Sequence, residues 1–166
     1  MMQNLSLDWV EQQCARISLK VRNINDGGCG LFTLGLYKLL SPFFDCSVAV
    51  FHFDPGAPPL DSVRGKLRRN HLYAWCDQGV VIDHFMLELK IGAKVYLLDS
   101  EGLVEPRVNY RKIQHKTLGE LHLNKNKMPI AELQELVYIE EGWCPLFNKA
   151  QKKKVIQFFK KLDVQL

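Results

Sequence analysis

The segment LFTLGLYKLL, residues 31 to 40, constrains the fold more than any other stretch of the chain. It is apolar on nearly every side of a helix, and only Thr33 and Lys38 are clearly polar. A helix that is hydrophobic all round belongs inside a domain, because a surface helix keeps a polar face toward water. Pro42 ends the helix, since proline cannot continue one. The rest of the chain must therefore supply elements that cover it.

Both flanks of this helix contain segments with regular apolar spacing. Residues 6 to 20 are predicted to form an amphipathic helix with Ser6 as its N-cap. Strands are expected where β-branched and aromatic residues are dense, at 47–53, 71–75, 80–90 and 93–99. Two further helices are predicted, at 129–139 and, as a basic amphipathic helix, at 148–162. This order indicates an α+β fold, and we expect residues 1–166 to form a single domain.

Composition and charge exclude several classes of protein. The hydrophobic fraction of 47% and the charged fraction of 24% are typical of a globular domain. A net charge of +4 is too small to indicate a nucleic-acid partner. The five cysteines are scattered without a CxxC pair and no signal peptide is evident, which favours reduced thiols and a cytoplasmic location. The apolar segments are too short to span a membrane.

One cysteine, Cys29, lies between glycines in NDGGCG, directly before the buried helix. Free backbone N–H groups and the positive end of the helix dipole at such a position favour a thiolate. Gly27, Gly28 and Gly30 permit a strained turn and a close approach of a substrate carbonyl to the backbone. Cys29 is therefore a candidate nucleophile.

Two downstream residues are candidates to activate this thiol. His84 lies inside a predicted strand, and Asp99 ends the next strand. A tight turn centred on Ile91-Gly92 would place His84 opposite residue 99. A carboxylate there orients the imidazole, which activates the thiol as a base and then protonates the leaving group as an acid.

Each of the three residues also has an ordinary structural explanation. Cys29 is suited to a small position in a core, His84 to a hydrogen-bonded site within a strand, and Asp99 to a turn. The chain contains all three residues, each in the local structure that a cysteine hydrolase needs. This combination favours the catalytic interpretation.

The residues GGCG at a helix start, followed by HFMLEL, a short turn and VYLLD, resemble the papain-like superfamily in its Cys–His–Asp form. Its transglutaminase-like proteins and arylamine N-acetyltransferases carry a cysteine on a buried helix, then a histidine and an aspartate on neighbouring strands. The resemblance covers roughly residues 20 to 102. It implies a papain-like core in which a nucleophile helix packs on an antiparallel sheet, with Cys29 as nucleophile, His84 as base and Asp99 as orienting residue.

This resemblance implies hydrolysis of an amide or isopeptide bond in a protein or peptide, through a thioester on Cys29. Acyl transfer from a small acyl donor forms the same thioester, and differs only in that an amine rather than water resolves it. A further alternative is a catalytically inactive papain-like module, or an unrelated α+β module, that binds a partner through the basic helix at 148–162.

An oxyanion hole is also implied by the resemblance. Papain-like peptidases place a glutamine six residues before the cysteine, and here that position is Asn23, with Asn25 nearby. Either amide is a candidate donor to a developing oxyanion, alongside the backbone N–H of Cys29.

Other potential sites are less well supported. His52 with Asp54, and His71 with Cys76, lack the spacing of a zinc site, so we expect neither a metal nor a cofactor. The basic helix at 148–162 could lie on anionic lipid. More often such a helix packs its phenylalanine side on the domain and presents its lysines to water.

Overall fold

The computed structural model describes residues 6–22, 24–53, 81–104, 123–138 and 148–162. Within these ranges the elements follow in the order α1 (Leu7–Ser18), a π-helical turn (Ile24–Gly28), α2 (Cys29–Leu40), β1 (Asp45–Phe53), β2 (Val81–Ile91), β3 (Lys94–Asp99), β4 (Gly102–Val104), β5 (Leu123–Met128), α3 (Ile130–Tyr138) and α4 (Lys149–Lys161). The strands form one antiparallel sheet in the order β4-β3-β2-β1-β5. The predicted α+β class is confirmed.

Helix α2 lies at the centre of the described structure. Ten of its twelve residues are buried, as its all-round apolar sequence predicts. It packs against the sheet, and its side chains share one core cluster with Val48, Val50 and Leu87. The first residue of this helix, Cys29, is thereby held against the strands.

Capping side chains fix the beginnings of α1 and α4. The Ser6 hydroxyl accepts a hydrogen bond from the backbone N–H of Trp9 at 3.2 Å, so the predicted N-cap is confirmed. Asn148 caps α4 and forms a reciprocal capping box with Gln151. The amide of Gln151 also donates to the backbone carbonyl of Arg22 at 2.8 Å, which ties the start of α4 to the segment after α1.

Helix α4 packs its phenylalanine side on α2. Phe159 is fully buried, and its ring lies 5.3 Å from that of Phe32, centroid to centroid. Gly35 makes this approach possible, because a Cβ atom there would lie 2.3 Å from the nearest atom of the Phe159 ring. The lysines of α4 are mostly exposed, which confirms the more ordinary of the two expectations for this helix.

The β2–β3 hairpin differs from its predicted register by two residues. Ile91 pairs with Lys94, and the turn consists of Gly92 and Ala93, with Gly92 at a φ of 59°. The prediction that His84 stands directly opposite Asp99 is therefore wrong. The pairing of Leu87 with Leu98, continued by one residue, places Asp99 level with Met86 instead.

Two strands were not predicted, and some predictions cannot be compared with the structure. Strands β4 and β5 were missed, whereas the strand predicted at 71–75 lies outside the described residues. In the part of the chain that the structure describes, no helix is long and apolar enough to cross a membrane. A single domain over residues 1–166 stays a prediction.

Candidate active site

Three elements bring the candidate catalytic residues together. Cys29 begins α2, His84 lies on β2, and Asp99 is the last residue of β3. All three are buried, with exposed fractions of 8%, 7% and 8% respectively. The sheet supplies the imidazole and the carboxylate, and the central helix supplies the thiol.

The Asp99 carboxylate makes two hydrogen bonds that fix its orientation. Its Oδ2 lies 3.0 Å from Nε2 of His84, and its Oδ1 accepts the backbone N–H of Glu101 at 2.7 Å. The second bond spans the tight turn between β3 and β4, in which Asp99 pairs with Gly102. Because an ionised carboxylate only accepts hydrogen bonds, Nε2 of His84 is the donor.

Cys29 also acts on the imidazole of His84. A hydrogen bond from the Cys29 side chain and the charge of its sulfur are among the causes that raise the pKa of the ring. Burial lowers the pKa of His84, but the hydrogen bonds and charges of Asp99 and Cys29 outweigh it and raise that pKa from 6.5 to about 10. A pKa of about 10 means that the imidazole of His84 is protonated at neutral pH.

Two other described cysteines lie in environments that suppress their reactivity. Burial, with the charges of Asp99 and Glu11, raises the pKa of Cys14 to about 12. Burial and the charge of Asp45 raise the pKa of Cys46 to about 11. These thiols remain protonated at neutral pH, and a protonated thiol is a poor nucleophile.

The backbone before Cys29 is more ordered than the sequence indicated. An open glycine turn was expected, but residues Ile24–Gly28 form a π-helical turn that runs directly into α2. Gly27 makes this turn possible, with a φ of 118° that other residues avoid. Cys29 is the first residue of α2, as predicted, and the π-helical turn directly precedes it. Short π-helical segments inside helices are rare and often occur at functional sites.

The two candidate oxyanion donors remain predictions. Asn23 lies outside the described residues. The backbone of Asn25 belongs to the π-helical turn, but its side chain is not among those that the structure describes.

The residues considered for metal binding do not form a described cluster. Nε2 of His52 lies 2.8 Å from the amide nitrogen of Asn126 on the neighbouring strand. Asp54, His71 and Cys76 lie outside the described residues. Among the residues that the structure describes, no group of three or more His, Cys, Asp and Glu side chains could hold a metal ion.

Sequence reasoning missed one residue that supports the site. The Ser18 hydroxyl, in the last turn of α1, lies 3.0 Å from the carbonyl oxygen of Cys14 and also contacts the carbonyl oxygen of Ser100. Ser100 directly follows Asp99, so this contact ties α1 to the turn that orients the carboxylate. A serine near a helix end carries no sequence signal for a contact 82 residues away.

Comparison of the chain with models of known protein families, with curated proteins and with solved structures gave no match. The chemistry of the site must therefore be inferred from its own geometry.

Proposed function

We propose that this chain is a cysteine hydrolase that cleaves an amide or isopeptide bond through a thioester on Cys29. The observation that carries the proposal is the position of His84: its Nε2 lies 3.0 Å from the Asp99 carboxylate, and the Cys29 side chain contributes to its raised pKa. A nucleophile, a base and an orienting group in this order form the arrangement that activates a thiol.

In the first half of the reaction the Cys29 sulfur attacks the substrate carbonyl carbon, forming a C–S bond. The imidazolium of His84 then donates its proton to the leaving amine as the C–N bond breaks. In the second half His84 takes a proton from water, whose oxygen attacks the thioester carbonyl. The C–S bond breaks, the acid product leaves, and the Cys29 thiolate and the His84 imidazolium are restored. Asp99 stabilises the imidazolium and holds the ring in position throughout.

The proposed fold family is the papain-like superfamily. Its support is the described architecture: a buried helix that begins with Cys29 packs on an antiparallel sheet, and the two partner residues lie on adjacent strands, His84 on β2 and Asp99 on β3. The proposed substrate is a protein or peptide, because the members of the papain-like superfamily that cleave amide bonds act on polypeptides.

Alkylation by iodoacetamide, followed by peptide mass spectrometry, tests the proposal directly. We expect Cys29 to be labelled faster than Cys14 and Cys46 near neutral pH, since burial keeps both of those thiols protonated. A His84→Ala substitution should slow the labelling of Cys29. His52→Ala is the matched control, because it removes another buried histidine of the sheet, whose ring contacts Asn126.

Two outcomes would contradict the proposal. In one, all described cysteines react at the same slow rate. In the other, the two histidine substitutions slow Cys29 equally, which would indicate a general loss of folding rather than a loss of base catalysis.

A second experiment distinguishes hydrolysis from acyl transfer. Reaction with p-nitrophenyl acetate should leave an acetyl group on Cys29, detectable as a mass increase. If the acetyl group is lost in water, and a primary amine does not change the rate of this loss, the result supports a hydrolase. A large acceleration by the amine supports acyl transfer, and absence of the adduct supports an inactive module.

A further inference from the structure

A basic groove lies between α1 and α4, and it contains none of the three candidate catalytic residues. Arg16 and Lys20 line it from the α1 side, and Lys154 and Lys161 line it from α4. All four cations are exposed, and no acidic side chain is among the described residues that line the groove. Four positive charges around one concave surface attract a negatively charged ligand.

The floor of this groove is apolar. Ile17 and Val21 are almost fully buried, and Phe158 and Leu162 are half-buried. The volume of about 500 Å³ lies within the range of clefts that bind ligands, about 300–1,000 Å³. The groove therefore combines a charged rim with a recess that an apolar side chain could fill.

The two helices that form the groove are attached to the core and to each other. Gln151 at the start of α4 donates to the carbonyl of Arg22, and the Lys152 ammonium donates to the carbonyl of Val137 at 3.1 Å. Ile17 of α1 and Phe159 of α4 belong to the same core cluster. The contacts of the described fold therefore hold in place the two helices that form the groove.

We infer that this groove binds an acidic segment of a partner polypeptide, with an apolar side chain of that segment seated between α1 and α4. The cations would pair with carboxylates on either side of the apolar anchor. An anionic membrane fits less well, because a helix that lies on lipid must present protruding apolar side chains. Here Ile17 and Val21 are recessed, with exposed fractions of 2% and 3%. This surface does not depend on the proposed thiol chemistry.

Fluorescence anisotropy with a labelled, glutamate-rich peptide that has leucines at its centre tests the inference. We expect saturable binding that weakens as the ionic strength rises to about 0.5 M, where charges are screened within a few ångströms. A peptide of the same charge with glycine in place of leucine should bind more weakly, because it leaves the apolar floor unfilled. A matching lysine-rich peptide should not bind.

Charge reversal on one helix provides a matched pair of variants. Lys154→Glu with Lys161→Glu changes two lysines that line the groove, whereas Lys153→Glu with Lys160→Glu changes two exposed lysines that do not. Both double variants have the same net charge. We expect the first to weaken peptide binding about tenfold or more, and the second less than about threefold, since only close charge pairs contribute appreciably.

Three results would overturn the inference. Equal weakening in the two double variants would show a response to net charge alone. Peptide binding that neither variant changes would place the peptide elsewhere on the chain. Binding to phosphatidylserine vesicles that requires Lys154 and Lys161, without peptide binding, would show that the surface recognises lipid.

Discussion

Replacing Asp99 by asparagine removes one charge from the candidate site and keeps a hydrogen-bond acceptor in the same place. The asparagine oxygen can still accept the backbone N–H of Glu101, which Oδ1 of Asp99 accepts at 2.7 Å. What is lost is the charge-assisted bond to His84 at 3.0 Å. The substitution therefore separates the electrostatic role of Asp99 from its role in the turn.

The expected effect follows from the strength of that bond. Hydrogen bonds to charged groups contribute about 1.5–3 kcal/mol. Because about 1.4 kcal/mol corresponds to a factor of ten in rate, loss of the bond should slow alkylation of Cys29 about 10- to 100-fold. The physical reason is that the carboxylate stabilises the imidazolium of His84, so its removal lowers the pKa of the ring.

The assay is the rate of iodoacetamide labelling of Cys29 near neutral pH, measured together with the midpoint of urea unfolding. Glu88→Gln is the matched control. Like Asp99, Glu88 is a buried carboxylate of the sheet, but it lies on β2 and its described partners are Ser47, Lys125 and Lys127. Labelling of Asp99→Asn at the wild-type rate would refute the role of Asp99, as would an equal slowing in Glu88→Gln with both proteins folded.

Three further predictions concern the support of the site. Gly35→Ala should lower the free energy of unfolding by about 1–3 kcal/mol in urea titrations, since its Cβ meets the buried Phe159 ring. In a Phe159→Ala background the same substitution should cause no such loss of stability, and a loss that persists would place the clash elsewhere. Ser18→Ala should slow Cys29 labelling less than Asp99→Asn does, by loosening the turn after Asp99, and unchanged labelling would remove Ser18 from the site. The raised pKa of His84 stabilises the fold fully below about pH 6.5, and this contribution is lost as the pH rises through about 10. The difference in unfolding free energy between wild type and His84→Gln should shrink over that interval, and a difference that grows would have the wrong sign.

The elements that the sequence predicts best are those whose local pattern agrees with their place in the fold. The all-round apolar run of α2 could only be buried, and the Ser6 cap marks the start of α1 without reference to the rest of the chain. The candidate site was predictable for a similar reason. Cys29, His84 and Asp99 each lie in a segment whose secondary structure is strongly patterned.

Strand β5 shows where local patterns fail. Its sequence LNKNKM has little strand propensity, because asparagine and lysine are depleted in strands. Tertiary contacts make it a strand: it pairs with β1, and Lys125 and Lys127 reach the Glu88 carboxylate on β2. Burial raises the pKa of Glu88, but the hydrogen bonds from the two lysines outweigh this and lower it. Glu88 lies far from β5 in the sequence, so the local sequence pattern around β5 does not include this partner.

The hairpin between β2 and β3 explains how an incorrect register could still identify the correct pair of residues. Side chains alternate between the two faces of a strand, so a one-residue error moves every side chain to the opposite face. The predicted register was wrong by two residues, which keeps His84 and Asp99 on the same face but displaces them along the strands. Diagonal neighbours of this kind are about 7–8 Å apart at Cα, within reach of two side chains as long as these. The observed contact of 3.0 Å between Nε2 and Oδ2 is therefore a diagonal one. The turn after β3 also sets the geometry of the contact between His84 and Asp99, because the Glu101 N–H fixes the other oxygen of the Asp99 carboxylate.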